Sequence, residues 1–129
     1  MNIALKITKI INVSSSHPDI AIILNNLGVI SHNLGDFEAA QAAFVRSQEM
    51  LAESLGKTHY LYATVLNNEA AFLVSSRQDS ILANRLIVDA IGIYEKSLGT
   101  EHPHVARCLN NLGLLEFLNA NLEMAKNHL

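Results

Sequence analysis

The sequence contains no tryptophan, and phenylalanine and tyrosine together make up only 5% of its 129 residues. Alanine, leucine and isoleucine dominate the apolar half instead, a composition that suits helix-on-helix packing better than a β-sandwich. A single cysteine, Cys108, excludes an internal disulfide. Charge of either sign is sparse, with 9 basic residues against 12 acidic and a formal net charge of −3. A nucleic-acid surface needs clustered lysine and arginine to displace counterions, so no nucleic-acid partner is expected. Nor does any apolar run approach the ~18–20 residues of a spanning helix, so no membrane partner is expected either. Lys6 and Lys9 interrupt what would have to be a signal-peptide core, and the chain reads as soluble and cytoplasmic. Its length fits one compact domain or a short repeat array.

What is present is a repeated unit. The segments HPDIAIILNNLG (17–28), HYLYATVLNNEA (59–70) and HPHVARCLNNLG (102–113) share a leading histidine and a pair of asparagines. His17, His59 and His102 are separated by 42 and 43 residues, and Asn25, Asn67 and Asn110 keep those separations. Leu55-Gly56 recurs as Leu98-Gly99. The one extra residue falls in the polar stretch SSRQDS, residues 75–80, where lengthening a loop costs little.

Each unit reads as two helices. The first opens after His-Pro, where proline's missing N–H needs no partner. In the first unit Ile20, Leu24, Leu27, Gly28 and Ser31 form a stripe at helical spacing, and Gly35-Asp36 ends it. Asp36 then caps a second helix bearing Ala40, Phe44, Ser47 and Leu51 on one face and stopping at Leu55-Gly56. The spacing predicts an all-α fold, an α-solenoid of about three helix-turn-helix units: 17–58, 59–101 and a truncated 102–129. Residues 1–16, with IALKITKIINV at 3–13, look like the tail of a preceding unit's second helix, and residues 121–129 like the start of an unfinished one.

The order Leu-Asn-Asn-Leu-Gly, then Gly-Asp-Phe-Glu-Ala-Ala, then a long helix closing with Leu-Gly-x-x-His-Pro, resembles the tetratricopeptide repeat. It is most similar to the 42-residue variant found in kinesin light chains. Small residues fall where that family places them, at Gly28, Ala70 and Gly113 in the first helices and Ala40, Ala83 and Ala125 in the second. The resemblance covers residues 17–129 and implies a scaffold that binds a protein or peptide in a concave groove.

On a wheel at 100° per residue, Ile22, Asn25, Val29 and His32 form a second stripe on the first helix. Thr64, Asn67, Ala71 and Val74 match it in unit two, as do Arg107, Asn110, Leu114 and Phe117 in unit three. In a stacked array these stripes line the inner surface, and Asn25, Asn67 and Asn110 would form a ladder. An asparagine amide offers a donor and an acceptor, the complement of a peptide bond, and groove asparagines are what the resemblance implies for peptide binding. Alternatively they are ordinary polar residues on an exposed face. Asn26, Asn68 and Asn111 point nearer the contact between helices and would satisfy backbone groups between units.

Other chemistry is thin. His102 and His104 lack a third ligand at metal spacing, and the recurring histidine belongs to the repeat, so neither metal nor cofactor is expected. Glu38, Glu49, Glu53 and Glu123 sit at helix positions typical of solvated faces, with no catalytic pairing. Glu69 stands where the other units have Leu27 and Leu112; burying it demands a partner such as Arg46 or Arg85, or a loosened second unit. The expected function is therefore non-enzymatic: a scaffold gripping an extended peptide. The alternatives are a regulatory array beside an effector domain, and self-association through exposed ends.

Overall fold

The computed structural model describes residues 17–127. Five helices follow one another: α1 (Pro18–Asn33), α2 (Phe37–Ser54), α3 (Tyr60–Ser75), α4 (Ser80–Leu98) and α5 (Pro103–Asn127), with no strand among the described residues. The array is all-α, as the repeat spacing predicts. The expected helix at 3–13 lies outside the described residues.

The recurring histidine has a definite local role. His17 Nδ1 accepts the Asp19 N–H, His59 Nδ1 the Leu61 N–H, and His102 Nδ1 the His104 N–H, each at 3.1 Å. In all three units histidine thus caps the first helix, satisfying one of the N–H groups that a helix start leaves without a partner. Replacing His59 by alanine is expected to lower stability by about 1 kcal/mol in urea denaturation, while His59→Asp retains most of it. Equal losses from both variants would contradict a capping role.

Within a unit the two helices close on small residues. A Cβ placed on Gly28 would lie 2.7 Å from the Phe44 ring, so the glycine is what lets α2 approach α1. Ser47 Oγ donates to the Ala21 carbonyl at 2.6 Å in the same buried layer. Unit two fills the matching positions with Ala70 and Ile87, both fully buried: a larger residue on the first helix, a smaller one on the second.

Packing between units is uneven. α2 packs on α3 and α4 on α5, and the first helices α1, α3 and α5 also touch in succession, whereas α2 and α4 do not touch. The first helices therefore run side by side along one face of the array.

The third unit departs from the expected hairpin, because α5 runs unbroken for 25 residues through the site of the turn. In unit one the turn rests on Gly35 at φ +80°, and in unit two Arg77 takes the same left-handed conformation at φ 56°. The matching residue in unit three is Ala120. Alanine is the best helix former and disfavours positive φ, so the helix continues and residues 121–127 extend it.

Candidate partner-binding surface

The doubled asparagines meet across the unit boundaries. Asn68 Nδ2 donates to Asn25 Oδ1 at 3.0 Å, and one unit further Asn111 Nδ2 donates to Asn67 Oδ1 at 2.9 Å. Adjacent residues on a helix point about 100° apart, so the first asparagine of each pair faces the following unit and the second faces the preceding one. One residue could not do both. Asn26 and Asn110, at the two ends of the series, are exposed. Beside the first pair, Ser75 Oγ and His32 Nε2 lie 2.7 Å apart, while at the next boundary Val74 and Leu118 line one cavity.

These bonds correct the expected ladder of three open amides. Asn67 is only 7% exposed and Val74 3%, so neither presents a free groove surface. Thr64 also turns away from the wall, since its hydroxyl meets the Tyr94 hydroxyl of α4 at 2.6 Å. Asn25, Val29, His32 and Ala71 are half-buried, Val29 resting against the core. Ile22, Arg107, Asn110, Leu114 and Phe117 are exposed. The physical reason is stacking: a wheel drawn for one helix shows a free face, but in the array the next first helix leans on part of it.

Glu69 is buried, 3% exposed, and its partners are neither of the expected arginines. Gln41 Nε2 and Gln48 Nε2 of α2 donate to its two carboxylate oxygens at 2.6 and 2.5 Å. The two glutamines are seven residues apart and share one face of α2, whereas Arg46 lies about 140° round from Gln41 and pairs with Glu49 at 3.1 Å. Arg85 instead acts on Tyr62. Burial pushes the Tyr62 hydroxyl above its usual pKa, Asp89 and Glu69 add to the rise, and Arg85 opposes it. The boundary between units one and two is therefore tied by a carboxylate and two amides. The signal in the sequence was the spacing of Gln41 and Gln48.

A cavity of about 540 Å³ opens between the end of α3, the loop after it and the extended half of α5. Leu73, Val74, Leu115, Leu118 and Leu122 give it an apolar floor, and Asp79 stands at its polar side. It exists because α5 continues straight where a turn was expected. Reactive side chains are elsewhere and blunted. Cys108 is fully buried, and burial pushes its thiol up to about 11, leaving little thiolate at neutral pH. Burial also lowers the His104 pKa, helped by neighbouring His102 and Arg107. Among the described residues no three His, Cys, Asp or Glu side chains are grouped to hold a metal ion, and no helix is long and apolar enough to cross a membrane.

Helical hairpins stacked in phase, with the first helices side by side and tied by recurring amide pairs, form an α-solenoid. Residues 19–80 match the family model described as tetratricopeptide repeat, and the helical array is of that repeat type. The family is a non-catalytic repeat family whose members generally mediate protein–protein interaction. No curated protein matches the chain.

Proposed function

We propose that this array binds an extended segment of a partner protein along the wall formed by α1, α3 and α5. The observation that supports this reading is the bonding state of the asparagines. Each inter-unit pair uses one acceptor and one donor, leaving Asn25 Nδ2 and Asn68 Oδ1 without a hydrogen bond to another described residue. A donor and an acceptor side by side are what a peptide backbone needs.

Hydrogen bonds alone are too weak for this. Each contributes about 1 kcal/mol net, whereas micromolar affinity requires roughly 8 kcal/mol. Exposed Ile22 and Leu114 and the apolar cavity beside Leu118 supply the rest. A leucine-sized side chain of the partner entering that cavity would add about 1.5–3 kcal/mol, and Arg107 would favour an acidic neighbour.

The test is a peptide-library titration followed by substitution on each side of the array. Ile22→Ser and Leu114→Ser are expected to weaken the best binder by on the order of tenfold each. Val88→Ser, an exposed change on α4, should leave affinity unchanged. Equal effects on both sides, or none on the wall, would overturn the proposal.

A further inference from the structure

The two asparagine bonds run in the same sense. At each boundary the later unit donates and the earlier unit accepts, Asn68 Nδ2 to Asn25 Oδ1 and Asn111 Nδ2 to Asn67 Oδ1. Each amide carries one donor group and one acceptor, so bonds of one sense leave the unused groups in a fixed order. At the first boundary the open donor, Asn25 Nδ2, belongs to α1 and the open acceptor, Asn68 Oδ1, to α3. Asn25 and Asn68 are both half-buried, so an incoming chain can reach them. The wall therefore distinguishes one direction along the array from the other, which its apolar side chains cannot do.

We propose that a bound segment lies with its N-terminal end at α1 and its C-terminal end at α5. This rests on peptide binding at the wall and adds its direction. An extended chain presents N–H and C=O groups on one edge in alternating close and wide pairs. The close pair is the N–H and C=O of a single residue; the wide pair is one residue's C=O and the N–H two residues later. The two amides share a single hydrogen bond at 3.0 Å, not the closed ring of two that they would make face to face. Asn25 Nδ2 and Asn68 Oδ1 are thus splayed apart and fit the wide pair. Its C=O accepts from Asn25 on α1, and the N–H further along the chain donates to Asn68 on α3. A reversed chain in the same place would set its N–H against the Asn25 donor and its C=O against the Asn68 acceptor.

Charge on the first helices agrees with this direction. α1 and α3 carry no lysine or arginine, whereas α5 carries Arg107, exposed and one turn before Asn110. A cation at this end favours an acidic side chain towards the C-terminal end of the bound segment. Asn111 Oδ1 on α5 is open in the same sense as Asn68 Oδ1, and it offers an acceptor to a further N–H there. The partner so described is an extended segment with an acidic residue on the C-terminal side of the stretch that meets Asn25.

The test takes the tightest-binding peptide from the library titration, with a benzophenone photo-crosslinker at one end or the other, and the whole 129-residue chain. Crosslinks located by mass spectrometry are expected on α1 from the N-terminal label and on α5 from the C-terminal label. Asn25→Asp keeps the oxygen that Asn68 binds and removes the open donor. It should weaken the peptide by about fivefold without loss of helix content. The opposite order of crosslinks, or both labels reaching both helices, would overturn the direction while leaving binding at the wall intact. Unchanged affinity in Asn25→Asp would overturn it equally. If Ile22→Ser and Leu114→Ser leave the peptide bound as before, the wall reading itself fails, and the direction with it.

Discussion

Phe72→Ala should be among the most damaging single substitutions in this chain, lowering stability by about 3–5 kcal/mol in urea unfolding. Phe72 is fully buried at the boundary between the first two units. Its ring lies 5.9 Å from that of Phe37, 6.0 Å from Phe44 and 5.3 Å edge-on from His32, so both helices of unit one converge on it. No small rearrangement refills that space, because α1 and α2 are already held together by the tight Gly28–Phe44 contact. In a linear array, stability is a sum of units and boundaries. Losing one boundary should therefore release unit one first, and hydrogen exchange should show α1 and α2 losing protection before α4. A loss near 1 kcal/mol, or equal exposure of all helices, would mean the boundary is not centred on this ring.

Glu69→Leu tests the polar half of the same boundary. Leucine occupies this position in the other two units, so size is not the obstacle. The carboxylate accepts two amide hydrogen bonds while 3% exposed, and bonds to a charged group contribute about 1.5–3 kcal/mol each. Gln41 and Gln48 are only half-buried and can recover some water after the change, so the expected loss is about 2–4 kcal/mol. Changing Gln41, Gln48 and Glu69 together to leucine should restore much of it, since an apolar boundary then replaces a fully partnered polar one. If the triple variant is as unstable as the single, the carboxylate–amide cluster is not the source of the loss.

How far the array could be read from its residues varies with the range of the interaction. The two helices of units one and two, the cap at Asp36 and the buried stripe through Leu24, Gly28, Phe44 and Leu51 all depend on spacing within a few turns, and they stand as expected. The contacts of the wall do not follow from one helix alone. Asn67 and Val74 become buried only when a third first helix leans on them, and Glu69 finds Gln41 and Gln48 only when α2 and α3 are docked. The unbroken α5 was legible in principle, since Ala120 stands where Gly35 makes a turn. The seven-residue interval from Gln41 to Gln48 likewise marked a face of α2 waiting for a polar partner.

In-phase recurrence of the units is the claim on which the shared wall and the proposed peptide binding rest. Double-mutant cycles on the asparagines measure it directly, by substituting alanine at Asn25 and Asn68, at Asn67 and Asn111, and at the mismatched pair Asn25 and Asn111. The two matched pairs should each show a coupling of about 1 kcal/mol, and the mismatched pair none beyond about 0.3 kcal/mol. Equal coupling in all three cycles, or none in the matched pairs, would contradict the shared phase of the units.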